Sequence, residues 1–376
     1  MRAVLIYIGN SGTNGPKYPA HYTPYELNVL PESIDTLIIA PLGDGEYIYG
    51  DTTGYNSGVT SRAAESVRYF VQNVFKASTM AARGVKLHIG YPGIDIRDSK
   101  TTGDNRRAHS LKGMQNYYGI FVNFYKAVQT NLGTDWTDYV EGCYNTIETV
   151  YPKADRDVSA ARKLAAANSA RNPTASLFGQ LSTYVHGLGK KFSWAPYYGY
   201  GRFPAEIIWN IGVLVNRTNY FDFCMMQPHY YFHASDESGN LASNLTGIRY
   251  SIVKNAITYR DGVVAAGPRT HTLCKIGVDM EISSVFHRNG VYDSNGVRIT
   301  EATVPANKYG QLAGCRHRYY EYEATFKDFV KDPDVPFMFY AGARGELLSD
   351  LRGQTDSQLV QPQSAIYQVI GDFYSH

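Results

Sequence analysis

The sequence predicts an α/β fold, a single (β/α)8 TIM barrel with long loops on its C-terminal face. Three observations carry this. Eight short runs rich in β-branched or aromatic residues recur along the chain, helical patterns separate them, and the stretches after the C-terminal ends of the runs are longer and richer in Gly, Asn and aromatics than those leading into the next run. A length of 376 residues suits one such barrel, and no Pro/Ser linker, internal repeat or low-complexity tract divides it, so 1–376 is read as one domain.

In order, Ala3–Ile8 is followed only by the short stretch Pro24–Leu30, whereas Thr36–Ala40 leads to a helical pattern over Arg62–Ala82 and Val85–Gly90 to one over Met114–Leu132. Tyr139–Glu148 precedes Val158–Leu188, Lys191–Pro196 precedes Ala205–Arg217, and Phe221–Gln227 precedes Leu245–Arg260. Lys275–Ile282 and Pro336–Ala341 lead to Arg316–Val330 and Ala365–Phe373. Two runs alternate cleanly enough to assign faces. Val85, Leu87 and Ile89 are expected to face the helices with Lys86, His88 and Gly90 inside; Ile276, Val278, Met280 and Ile282 point outward, leaving Gly277, Asp279 and Glu281 inside. A barrel used only as scaffold would fill its interior with Val, Ile and Leu. The long connections Gly9–Tyr22, Leu42–Thr60, Tyr91–Gly113, His229–Leu241 and Ser283–Leu312 fall where such barrels build sites, and Asn289–Gly296 has the Asn-Gly signature of a hairpin.

Lys plus Arg is 36 against 34 Asp plus Glu, with no run of either sign, so neither a nucleic-acid nor an anionic-membrane partner is implied. No apolar window is long enough for membrane insertion, and Ala3–Ile8 is too short for a signal peptide. Cys143, Cys224 and Cys274 lie in or beside apolar runs without CxxC spacing, which argues against a disulfide or zinc framework. The skewed count is 32 Tyr against 16 Phe and 3 Trp; tyrosine joins an apolar face to a hydroxyl and suits a wet, aromatic-lined groove for a sugar.

The strongest catalytic candidates are Glu148, at the end of the fourth run, and Glu281, at the end of the seventh. Glycosidic cleavage needs a proton donor for the leaving oxygen and a second carboxylate at the anomeric carbon, and strands four and seven of a closed barrel lie on opposite walls of its mouth. Should the register of the fourth strand differ by one residue, Glu141 becomes the next candidate for the donor. Asp279, Gln227, His229 and Tyr230 are expected to support these carboxylates, and Trp194, Tyr197, Tyr198 and Tyr91 to form a stacking platform. His229 and His233 are spaced i, i+4 but without the HExxH pattern, so no metal is expected, and the absence of GxxxxGK[ST], strand–helix GxGxxG and GxSxG patterns gives no support for a nucleotide cofactor or a serine nucleophile.

The segments Trp194–Ala195–Pro196–Tyr197–Tyr198–Gly199, Met226–Gln227–Pro228–His229–Tyr230–Tyr231–Phe232 and Gly277–Val278–Asp279–Met280–Glu281 resemble those of a bacterial domain-of-unknown-function family of glycoside-hydrolase-like (β/α)8 barrels, many of them exported. The resemblance spans about Ile34 to Gly342 and implies a carbohydrate-active barrel but not a substrate; no cofactor is expected. The wider group of retaining barrels places its acid/base after strand four and its nucleophile after strand seven, which maps onto Glu148 and Glu281; where that group commonly carries Asn before the acid/base, this chain has Ile147. The expectation is a retaining, endo-acting hydrolase of a polysaccharide or cell-envelope glycan, extracellular or virion-associated. Its rivals are a non-catalytic glycan-binding barrel and an inverting hydrolase using the same site.

Overall fold

In the computed structural model of the chain, the residues described are 1–9, 22–41, 57–91, 111–148, 173–201, 203–236, 238–267, 274–283, 291–292, 298–299, 314–341 and 365–376. Eight parallel strands close into a barrel. They are β1 (Arg2–Ile8), β2 (Thr36–Pro41), β3 (Lys86–Gly90), β4 (Val140–Asn145), β5 (Lys191–Trp194), β6 (Phe223–Met226), β7 (Lys275–Glu281) and β8 (Phe337–Tyr340). Each pairs with its sequence neighbours, and β1 with β8 completes the ring, Leu5 lying opposite Tyr340. This is the (β/α)8 architecture the strand–helix alternation predicts. Outside the ring, Val291–Tyr292 and Arg298–Ile299 form the antiparallel pair expected around Asn289–Gly296. The connections at 10–21, 42–56, 92–110 and 301–313 lie outside the described residues, as do 158–172 of the expected Val158–Leu188 helix.

Alternation divides the core into two shells. Leu87, Ile89, Ile276, Val278, Met280 and Ile282 pack against the helices in the larger shell, as their parity predicts. A second cluster fills the barrel itself, with Leu5, Ile38, Tyr144, Ala195, Met225 and Met338 among its members. Several helices differ from the sequence expectation for local reasons. The Arg62–Ala82 pattern is one α-helix to Tyr69, a π-turn over Phe70–Phe75 and a separate turn over Thr79–Ala82 capped by Ser78; the wider π-turn keeps Phe70, Val71, Val74 and Phe75 all buried. The helix expected to reach Arg260 spans Ala242–Lys254 and ends where Asn255 turns left-handed at φ 47°. The Tyr139–Glu148 run contracts to β4 because Thr134–Tyr139 is helical.

At its base the interior tightens. A Cβ on Gly277 would sit 1.7 Å from the Pro336 carbonyl oxygen, where β7 and β8 approach, and no side-chain motion relieves a main-chain collision. Gly277→Ala is therefore expected to destabilise the fold by about 3 kcal/mol or more, measured by urea denaturation. An unchanged midpoint would contradict the packing of β7 on β8.

Candidate active site

The inward face of β7 carries Gly277, Asp279 and Glu281 in rising order toward the C-terminal mouth, and both acids are 1% exposed. Across the β7–β8 ladder Asp279 lies opposite Met338 and Glu281 opposite Tyr340. A buried carboxylate needs donors. Glu281 receives one from Tyr322, whose hydroxyl lies 2.6 Å from Oε2. Tyr322 stands on the helix Cys315–Phe326, and its oxygen accepts the Tyr231 main-chain N–H at 2.8 Å, leaving the phenolic hydrogen to Glu281. Burial, and then the Glu281 charge itself, pushes the Tyr322 phenol well above its usual range, so it stays a donor. On the other oxygen, His229 Nδ1 lies 3.4 Å from Oε1. His229 holds φ at 58°, in the left-handed region that is uncommon outside glycine, and places its ring against Tyr197, Tyr200 and His233.

Glu148 lies three residues beyond β4 and is partly exposed. Two hydrogen bonds strap this segment to β5 and its extension, Trp194 Nε1 donating to the Ile147 carbonyl at 2.7 Å and the Tyr197 N–H to the Glu148 carbonyl at 2.9 Å, while within the segment the Ile147 N–H donates to Asn145 Oδ1 at 3.3 Å. Gln227, just past β6, donates through Nε2 to Glu148 Oε1 at 3.4 Å and to the Ala195 carbonyl at 2.6 Å. Burial pushes the Glu148 carboxyl up from its ordinary value; hydrogen bonds from Tyr197 and Gln227 and the nearby His229 pull it down, Glu281 pushes it up, and the net direction is upward. Glu148 and Glu281 thus share one mouth around Tyr197 and His229, the Glu148 carboxyl raised by burial and Glu281 held by the Tyr322 hydroxyl.

Of the residues expected to serve the site, Gln227, His229, Asp279 and Tyr197 come together with these two carboxyls. The stacking role expected of Trp194, Tyr198 and Tyr91 is corrected by their burial. Trp194 is 0% exposed and stacks on Phe221 in the layer between barrel and helices, Tyr198 is equally buried with its hydroxyl donating to the Thr258 carbonyl, and Tyr91 packs on Tyr117, Phe121 and Phe124. Trp194 acts on the site only through the strap that holds Glu148. Tyr230 is likewise corrected: its hydroxyl donates to Glu321 at 2.6 Å, and the donor to Glu281 is Tyr322. Sequence reasoning also missed Tyr7 and Tyr340, which meet edge to face at 6.3 Å and line the mouth beside Glu148 and Asp279. Their signal was available, since Tyr7 shares the parity of Ala3 and Leu5 and Tyr340 that of Met338.

The His229 and His233 rings stack at 5.1 Å and 18° rather than converging on a point, and among the described residues no group of three or more His, Cys, Asp or Glu is placed to hold a metal ion. All four cysteines are buried and none forms a disulfide. No helix among the described residues is long and apolar enough to cross a membrane.

No protein-family model matches the chain, and no curated protein matches it. Among solved structures it is similar to a GH18 chitinase from Pseudoalteromonas aurantia (12% identity, 96% of this chain and 99% of that one, TM-score 0.39). It is also similar to a GH5-4 broad specificity endoglucanase from Clostridium acetobutylicum (13%, 98% and 96%, 0.42) and to a D-psicose 3-epimerase from Clostridium cellulolyticum H10 (11%, 100% and 97%, 0.38). Likeness at this level carries no argument; the architecture rests on the closed ring of strands, and no site residue is taken from these structures.

Glu141, the alternative donor under a shifted register, lies at the opposite end of the barrel. The β3–β4 ladder shifts between Leu87 and His88, so that His88 pairs with Gly142 and Glu141 is passed over. Its carboxylate then lies 3.8 Å from His88 Nε2 and 2.8 Å from Lys191 Nζ, and these partners, His88 foremost, hold it down at about 2. A carboxyl whose folded value is depressed stabilises the fold above its unfolded value, and that contribution is lost as pH falls through the folded value. Glu141→Gln should therefore lower stability near neutrality and flatten its decline on acidification toward pH of about 2, measured by urea midpoints across that range. An acid limb as steep as in the parent protein would contradict the pairing.

Proposed function

We propose that this chain is a retaining glycoside hydrolase of a polysaccharide or cell-envelope glycan, endo-acting and extracellular or virion-associated, with Glu148 as acid/base and Glu281 as nucleophile. The observation that carries the reading is the pair of carboxyls in one mouth, at the ends of β4 and β7, Glu148 raised by burial and Glu281 held by the Tyr322 hydroxyl. The (β/α)8 ring and the tyrosines around the mouth support a sugar ligand, and polymeric glycans lie outside the cytoplasm.

The chemistry follows from these placements. Glu148, raised by burial, donates its proton to the departing glycosidic oxygen while Glu281 forms an ester bond to the anomeric carbon as the C–O bond breaks. The Tyr322 hydroxyl holds Glu281 on the side away from the sugar, orienting the attacking oxygen without occupying it. Glu148, now ionised, takes a proton from water as that water attacks the anomeric carbon and releases Glu281; the configuration is retained after two inversions. Gln227 and Tyr197 stabilise the ionised form of Glu148 that appears midway.

Screening the protein on a glycan panel with reducing-end detection separates this reading from a non-catalytic glycan-binding barrel, which the tyrosine-rich mouth also fits. Glu281→Gln should lower kcat at least about a hundredfold on the substrate so found, because the amide keeps the shape but forms no ester. Glu148→Gln should cripple hydrolysis of natural glycans while sparing glycosyl-enzyme formation from an activated aryl glycoside, and azide, which needs no base, should restore turnover with retained configuration. Equal slowing of natural and activated substrates with no azide effect would remove Glu148 from the acid/base role.

A further inference from the structure

Asp279 is a third carboxyl in the same interior, one step deeper than Glu281 on the same face of β7 and 1% exposed. Its partners are few. The Tyr340 main-chain N–H donates to it, and Oδ1 has no hydrogen-bond partner among the described residues. The groups facing it carry no positive charge: Glu281 on its own strand, Glu148 beyond β4, and the phenols Tyr144 from β4, Tyr7 from β1 and Tyr340 from β8. Farther out lie the phenols of Tyr322 and of Tyr374 on the C-terminal helix Ala365–Ser375. Two carboxylates this buried on one strand face repel each other when both are ionised, and the donors are unequally shared. Glu281 accepts a hydrogen bond from the Tyr322 phenol at 2.6 Å, whereas an ionised Asp279 Oδ1 would be a buried charge with no donor among the described residues.

We propose that Asp279 is the proton-holding member of a carboxyl pair with Glu281, staying neutral so that Glu281 carries the single negative charge presented to the substrate. Burial first, then the Glu281 and Glu148 carboxylates, push Asp279 well above the usual carboxylate range, in agreement with this assignment. Asp279 touches no substrate and acts as a positioning residue. It rests on the proposed function only in naming what Glu281 attacks, because the protonation itself is readable without any substrate.

The test is the carbonyl stretch of protonated carboxyls in the infrared spectrum of the whole protein, titrated across pH. At pH 7 the wild type should show protonated-carboxyl absorption with one component that is lost in Asp279→Asn and retained in Glu148→Gln, which loses the separate Glu148 component instead. In Glu281→Gln, where the neighbouring charge is gone, the Asp279 component should titrate lower by about one pH unit or more. A spectrum at pH 7 unchanged by Asp279→Asn, or a midpoint unmoved in Glu281→Gln, overturns the proposal. Should Asp279→Asn fail to fold, the carboxyl shift of Asp279 in wild-type protein carrying labelled aspartate answers the same question: a protonated shift at pH 7 supports the proposal and an ionised one overturns it. Absence of glycan turnover would count against the hydrolase reading while leaving this result standing.

Discussion

The two-residue alternation of strands closed into a ring is the constraint on which the rest depends. In β7 it sends Ile276, Val278, Met280 and Ile282 into the helix-facing core, and that apolar anchorage stabilises a strand whose other face carries two acids. Slipping β7 by one residue would bury both acids among the helices and expose the apolar set to the barrel interior. The site therefore needs no loop to place Glu281. Its position follows from the same packing that closes the barrel.

Once carboxyls are placed inside, their charge has to be managed, and the structure does so unequally. Glu281 is reached by Tyr322 and His229, Glu148 by Gln227 and Tyr197, and Asp279 by one main-chain amide. That unequal supply of donors gives three chemically similar side chains different surroundings, which is what acid/base and nucleophilic roles require. The strained His229 backbone belongs to the same arrangement, since the left-handed turn after Pro228 brings its ring over the mouth.

Much of this was legible in the sequence, and the failures share one cause. Strand parity identifies the inward sets of β3 and β7, and Glu281 stands out in the sequence because an ionisable residue ending an apolar run has few packing explanations. Carried one residue further, the same parity puts Tyr91 outside with Leu87 and Ile89, and Trp194 outside with Phe192. Both were assigned to the mouth on aromatic character alone, which does not report which side of a strand a ring occupies. Tyr322 was not legible at all. In Arg316–Phe326 it is one tyrosine among several on a helix, and its role arises only where that helix meets β7 across a separation of 41 residues. Glu141 lies away from the mouth because it is the second residue of β4, and the Leu87/His88 shift beside it is likewise a pairing property with no local signature.

The central claim is that Glu281 bonds covalently to sugar. Incubating the wild-type protein with a panel of activated 2-fluoro-glycosides, which form the glycosyl-enzyme but hydrolyse it slowly, and mapping the adduct by peptide mass spectrometry tests it directly. The account predicts one sugar per chain, attached to Glu281. A sugar attached to Glu148 or Asp279, or a protein that cleaves glycans yet takes no label from the panel member matching its substrate, would contradict it.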